Sequence, residues 1–380
     1  MGRRGAARAM SECRYVPRER FLASAEAFAA LHTGVPTQDY VVNIDAKVET
    51  IQLADLPFPA VVNHVDEENA WVASPLTTYS RYALEEARRL LPKWLAWPLS
   101  GVISLADRWL RANGFDRAVS INNWLLSTNL YPSTDGIDFS AARESLKARW
   151  PHRAIWFRSL NFVQHADWLH ALVAAGFELV PSRQVYLFDD IERCAADHEN
   201  LRRDLKLLRS TPLERVDGSA FRDADFAASE KLYAQLYIDK YSKLNPRYTA
   251  AFLSAWHRAG LLELTGFRDR SDRLLAVIGI FAQGPLLTAP IVGYDTAWPR
   301  SAGLYRLLMA HVLETTMHRS GTLNLSAGAA HFKRLRGGKP AIEYSAVLAE
   351  HLPQPMRRAL GALRALTTRI GVPIMRRFEL

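Results

Sequence analysis

The stretch GLYRLLMAHVLETTMHRSGTLNLSAGAAHFKRLRGGKPAIEYSAV, residues 303–347, decides the fold. Its first part repeats apolar residues at three- and four-residue spacing, which predicts an amphipathic helix. TLNLSAG and AIEYSAVL read as strands, and AAHFKRLRGG between them as a short basic helix. The segment is entered from a strand that stops at GYDTAWPRSAG, so its order is strand, helix, strand, short helix, strand.

The same order occurs earlier in the chain. FSAARESLKARW reads as a helix, RAIWFRSL as a strand, HADWLHALVAAG as a helix and SRQVYLFDD as a strand. Matching strands lie about 160 residues apart, a repeat of pattern without repeat of sequence. Before the first set, DYVVNIDAKVETIQL, FPAVVNHVD and AWVAS alternate as half-buried strands do, and a helical insert covers about 82–113. Before the second set come a charged helix, CAADHENLRRDLKLLRS, two further helices around 223–259, and the strands LLELTGFRD, RLLAVIGIFAQ and LLTAPIVGYD. Gln283-Gly284 is placed for a hairpin turn.

Composition bounds the answer. With 380 residues, 49% of them hydrophobic, the chain is globular and holds more than one ordinary domain. Its two cysteines, Cys13 and Cys194, form no metal or redox spacing, so a reduced, cytosolic protein is the default expectation. A net charge of +9 favours anionic partners. No P-loop, GxGxxG, HExxH or GxSxG motif is present, and no metal site is suggested. The stretch WLAWPLSGVISLA, 94–106, is shorter than the roughly 20 residues of a spanning helix and is interrupted by Pro98 and Gly101. It reads as a buried or interfacial helix pair. Beyond His351, Arg357, Arg358, Arg364 and Arg369 share one helix face, with Leu360, Leu363, Leu366 and Ile370 opposite. Such a helix docks on the protein or lies on an anionic membrane.

The C-terminal order, with NLSAG followed by FK-x-x-RG, resembles the second half of a GNAT acyltransferase. In detail it is similar to the branch holding FemAB-type aminoacyltransferases and CelD/BcsL-like acetyltransferases. The resemblance implies an α/β fold of two tandem GNAT-like domains, with mixed central sheets flanked by helices and a basic C-terminal helical tail. The expected division is a disordered N-terminus at 1–15, an acceptor-side domain at 16–190, an acyl-donor domain at 191–350 and the tail at 351–380.

The resemblance also implies a site. The donor arm would lie along LLTAPIVGYD, with Tyr294 at its end. The donor pyrophosphate would sit on the loop and helix start carrying Arg300, Ser301 and Gly303, where free N–H groups and the helix dipole favour anions. The loop has one glycine where the usual GNAT signature has more. Ser326 and Arg336 are further cofactor contacts. Phe332 stands where many GNAT enzymes have a tyrosine acid, and Lys333 matches the lysine thought to stabilise charge at the donor carbonyl in FemAB-type enzymes. Between two predicted helices, YIDKYSKLNPRY (237–248) gathers Asp239 and Tyr241 as catalytic candidates and Asn245 and Tyr248 as acceptor contacts. In the first half, Asn122, Asn123, Asn129 and Arg158 are acceptor-cleft candidates by analogy.

The expected activity is N-acyl transfer from acyl-CoA, acetyl-CoA included, to an amine on a small molecule or on a glycan or lipid precursor. The alternatives are transfer from aminoacyl-tRNA to a cell-envelope precursor or small metabolite, and an inactive, membrane-associated scaffold. Oligomeric state and acceptor identity are not readable from the sequence.

Overall fold

The computed structural model describes residues 15–378. The basic N-terminal segment up to Arg14, Cys13 included, lies outside the described residues.

Eleven strands form one mixed sheet in the order β1-β2-β3-β4-β11-β5-β10-β9-β8-β7-β6. They are β1 (Ala46–Leu53), β2 (Leu56–Asn63), β3 (Ala118–Ile121), β4 (Ala154–Leu160), β5 (Glu178–Phe188), β6 (Glu214–Asp217), β7 (Glu263–Arg268), β8 (Leu274–Gln283), β9 (Leu286–Tyr294), β10 (Thr322–Asn324) and β11 (Lys339–Leu348). The helices that matter below are α1 (Ala83–Leu90), α2 (Lys93–Ala112), α3 (Glu199–Ser210), α4 (Asp223–Ala234), α5 (Leu304–His318), α6 (Ala330–Arg334), α7 (Gln354–Leu366) and α8 (Val372–Phe378).

The fold is α/β, as the alternation of elements predicts, but the two halves share a single sheet. The reason is an exchange of final strands. β5, the last strand of the first half, pairs antiparallel with β10 of the second. β11, the last strand of the second half, pairs antiparallel with β4 of the first. The exchanged strands also pair with each other from Lys339↔Leu187 to Val347↔Glu178. The largest buried apolar cluster accordingly draws on both halves: Trp124 meets Phe281 with ring centroids 5.3 Å apart.

The register sets Arg183 of β5 opposite Glu343 of β11. Arg183 Nε donates to Glu343 Oε1 at 2.8 Å and Nη2 donates to Oε2 at 3.2 Å, a bidentate pair. The Glu343 side chain is 2% exposed and that of Arg183 12%. Arg183 also donates to the Ser127 carbonyl and stacks over the Trp71 ring at 4.7 Å. One guanidinium thus ties together the two exchanged strands and two loops of the first half.

Several elements differ from the sequence reading. AWVAS is a turn leading into Pro75, while β3 and β6 were not anticipated. The charged helix near 195 is broken at His198, which caps α3. WLAWPLSGVISLA is part of one continuous helix, α2, which runs through Pro98. The tail is docked: Met356, Ala359, Leu360 and Leu363 of α7 are buried against the first half, and Arg357, Arg358 and Arg369 point to solvent.

Removing one partner of a buried, bidentate pair leaves the other charge desolvated. Glu343→Ala should therefore lower the unfolding free energy by about 3–5 kcal/mol, read from urea denaturation. An effect below about 1 kcal/mol, the scale of an exposed pair, would show that Arg183 does not pin the exchange.

Candidate functional site

The site begins with a parting of strands. β10 runs parallel to β9 over three positions, from Thr322↔Leu286 to Asn324↔Thr288. The chain then turns away from β9 and stays with β5: Leu325 N donates to Tyr186 O at 3.0 Å, and Tyr186 N donates to Ser326 O at 3.1 Å. The end of β9, from Ala289 to Tyr294, is left with no strand beside it on that edge. The result is a V-shaped slot between β9 and the loop after β10.

Lys333 closes the bottom of that loop. Its Nζ donates to three main-chain carbonyls: Leu325 at 2.7 Å, Ala327 at 2.9 Å and Ser326 at 3.2 Å. An ammonium has three N–H donors, so every one of them is engaged. The loop needs such a brace, because Ser326 and Ala329 hold left-handed φ values of 59° and 49°, costly for residues with a Cβ. Burial, and then the charge of Arg183, push the Lys333 pKa down to about 7.

The loop after β9 leads to α5. Gly303 takes φ 65°, a conformation glycine adopts freely, and no side chain caps the helix that follows. The first-turn amides of α5 therefore have no partner within the helix. Arg300 and Ser301 are exposed beside them. From α5, Tyr305 places its ring 6.2 Å from Tyr294 and 4.8 Å from Phe332. Burial raises the Tyr305 hydroxyl well above the ordinary tyrosine value, so it stays protonated.

Arg336, expected as a cofactor contact, is buried and already paired. It is 6% exposed, paired through Nε with Asp204 at 2.5 Å, and it donates to Phe332 O. Asp204, on α3, also takes Arg306 of α5 at 2.6 Å. The carboxylate fastens α3, α5 and α6 into one block under the slot. The glycine after Arg336 is needed for packing: a Cβ on Gly337, at φ +93°, would lie 2.4 Å from Cys194 Sγ.

A second group of polar residues lies where α1 and the 235–241 π-helical turn approach the exchanged strands. Trp71 is its centre. The indole N–H donates to Asn245 Oδ1 at 3.0 Å, Arg158 lies 5.3 Å and Arg183 4.7 Å from its ring, and Tyr82 packs at 5.5 Å. Burial pushes Arg158 down to about 10. Glu86 of α1 lies 3.8 Å from Arg89. Its side chain is 27% exposed, and burial raises its pKa. Arg89 reaches across to the other wall, donating to Tyr241 O and lying 5.1 Å from the Tyr241 ring. Tyr237 stands between this cleft and the slot, 6.1 Å from Tyr241.

Other expected residues hold structure. Asn245 joins Trp71 to the Tyr237 carbonyl, to which it donates at 2.8 Å. The Tyr248 hydroxyl is buried and donates to Leu125 O at 2.8 Å. Asn122 donates to Leu130 O, Asn123 to Val72 O, and Asn129 accepts from Trp124 N. Arg158 donates to Val72 O at 2.7 Å. Asp239 is exposed on the π-helical turn. The sequence reading missed Glu86, Tyr82, Arg183, Glu343 and Tyr305. Two of these had a signal: Arg183 and Glu343 are charges inside otherwise apolar strands, and each half supplies one.

Two other depressions, one lined by His257 and His311 and one by His32 and His64, share no residue with slot or cleft. Among the described residues no cluster of histidine, cysteine and carboxylates could hold a metal.

A sheet parted at its centre beside an uncapped helix start sets an unpaired strand edge next to unpartnered amides. Residues 196–334 match the family described as acetyltransferase (GNAT) domain, a span running from α3 to Lys333 and Arg334. The matched span covers the donor-side elements of the second half, and the chain as a whole is a mixed α/β sheet flanked by helices and ending in a helical tail. No curated protein matches the chain in sequence. Solved structures similar to it include a conserved protein of unknown function from Bacteroides thetaiotaomicron (9% identity, 88% of this chain and 92% of that one, TM-score 0.48). Others are L-PGS from Bacillus licheniformis (9%, 65% and 82%, 0.47) and FemX (10%, 56% and 79%, 0.44).

The folded state should release the Lys333 proton near pH 7, whereas an unfolded lysine holds it to about 10.4. In that window the unfolded chain binds more protons, so stability contributed at this site rises with pH. Relative to Lys333→Met, wild-type unfolding free energy should climb between about pH 7 and 10. A pH-independent difference would mean that the three carbonyls hold the ammonium against burial.

Proposed function

We propose that the protein is an N-acyltransferase in which an amine attacks an acyl-CoA thioester directly. The observation that carries this reading is the parting of β9 from β10 after Thr288, beside the uncapped start of α5. The unpaired edge of β9 suits the extended amide-bearing arm of coenzyme A. The first-turn amides of α5 and Arg300 suit its pyrophosphate.

In the reaction the amine nitrogen forms a bond to the thioester carbonyl carbon and the carbon–sulfur bond breaks. The attacking ammonium must first lose a proton. Glu86 is the best-placed base in the acceptor cleft, and burial makes its carboxylate more basic than an exposed one. Tyr241 and Arg89 form the opposite wall, and Asp239 on the same turn attracts the incoming cation. The departing thiolate needs a proton or a hydrogen bond. Tyr305, beside Phe332, offers the hydroxyl that position 332 lacks. Lys333 acts through the loop: it fixes the carbonyls of 325–327, and so the slot wall, while its charge favours developing negative charge nearby. On this reading the C-terminal half serves the donor and the first half helps to enclose the acceptor, an amine on a small molecule or on a glycan or lipid precursor.

Transfer from aminoacyl-tRNA is the second reading, supported by the net charge of +9 and the Phe332-Lys333 element. Thermal melting separates the two. Acetyl-CoA or a longer acyl-CoA should raise the melting temperature by mass action, with little dependence on salt. A shift only with aminoacyl-tRNA, collapsing as ionic strength rises, would transfer the reading to tRNA. No shift with either would contradict a donor site altogether.

Tyr305→Phe and Glu86→Gln should each lower kcat by about 10²-fold, the lower end of general acid–base contributions. Neither should change the melting shift caused by acyl-CoA. Unaltered kcat in either variant would remove that residue from the mechanism.

A further inference from the structure

The geometry points to α2 as a docking surface for an anionic lipid bilayer, with the helix lying in the membrane plane. This inference is independent of the acyl donor. α2 has one face inside the protein, where Ala96, Ile103 and Leu110 are buried. Its opposite face should be polar in a helix that meets water, and it is not. Trp94 is 73% exposed, Trp97 84%, Leu105 66%, Val102 47% and Trp109 40%. Spacings of three and four set Trp94, Trp97, Leu105 and Trp109 on one stripe, with tryptophans near both ends. Contiguous exposed apolar surface of this kind marks an interaction site.

The occupant follows from three further features. Tryptophan is the residue that favours the membrane–water boundary, where its ring is apolar and its N–H is wet. The charges on the exposed stripe are Lys93 and Arg108, both cations and neither in an ion pair among the described residues. α8, whose Ile374 packs with Ala96 and Ile103 behind the stripe, adds exposed Arg376 and Arg377. A basic rim around an apolar, tryptophan-bearing helix matches anionic headgroups over acyl chains. No helix of the described residues is long and apolar enough to cross a membrane, which leaves α2 an in-plane role.

The surface is tied to the cleft. α1, which carries Glu86 and Arg89, packs on the buried side of α2 through Ala87 and Leu91. Docking through α2 brings the cleft close to the bilayer surface, where an amphiphilic amine would be presented. The tail helix α7 is not the docking element, because its Leu360 and Leu363 are inside the protein.

The test is cosedimentation of the full chain with phosphatidylglycerol-rich vesicles and with pure phosphatidylcholine vesicles, with tryptophan emission recorded in both. The expected result is binding and a blue shift on the anionic vesicles, with at least about tenfold weaker partition on the neutral ones. The double variant Trp94→Glu/Trp97→Glu should lose at least about tenfold in anionic partition while keeping its melting temperature, because both side chains are exposed. Leu105→Glu provides a second check outside the aromatic pair. Equal partition of wild type and variants, or no binding of wild type to anionic vesicles, overturns the proposal. So does a lipid-free dimer that Trp97→Glu converts to monomer, which would make a second copy the occupant. Acyl transfer enters none of these readouts, so failure here leaves the proposed activity standing.

Discussion

The reciprocal exchange of β5 and β11 is the constraint from which the rest of the molecule follows. Without it each half would end its own sheet and carry its own edge. With it, the last strand of each half is the inner wall of the other, and both clefts open against shared strands. The Arg183–Glu343 pair is the polar fastening of that exchange, placed by register at a single cross-strand position. A buried pair of this kind is weak evidence for stability as such. Its value here lies in register: a slip of one residue would carry one of the two charges to the opposite face of the sheet and unpair it.

From this fastening, chemistry is arranged outward in two directions. On one side, β5 draws the chain after β10 away from β9 and so opens the slot. The energetic consequence is a strained loop with left-handed Ser326 and Ala329, and Lys333 satisfies its carbonyls from below. On the other side, the same Arg183 stacks on Trp71, which positions Asn245 and the cleft containing Glu86. One arginine therefore influences the donor side through Lys333, whose proton it helps to repel, and the acceptor side through Trp71. The Asp204 cluster with Arg306 and Arg336 fixes the helices below the slot in the same way.

Much of the second half was legible because its signals are local. The helix at Leu304–His318, the strands β7, β8 and β9, and the short helix before Gly337 are announced by periodicity and by glycine placement. The exchange was not legible, since the pattern of a strand does not name its partner. The same limit explains the asparagines. Asn122, Asn123 and Asn129 look like cleft residues in sequence, but Asn122 and Asn123 donate to main-chain carbonyls, Asn122 also accepts from the Trp124 ring N–H, and Asn129 Oδ1 accepts from Trp124 N, which only the folded loop reveals. Glu86 was missed because it sits in an ordinary charged helix, and only the surrounding elements enclose it. The stretch 94–106 reads in sequence as a buried or interfacial helix pair; it is part of one continuous helix, α2, with one face buried and the other open.

Amide hydrogen exchange with and without acyl-CoA tests the central claim most directly, since it asks where on the chain the donor lies. Protection should appear in residues 289–294, in the first turn of α5 after Gly303, and in the loop 325–329. Those three segments are distant in sequence and meet only at the slot. Protection confined to other segments, or none at saturating acyl-CoA, would contradict a donor site built on the parting of β9 and β10.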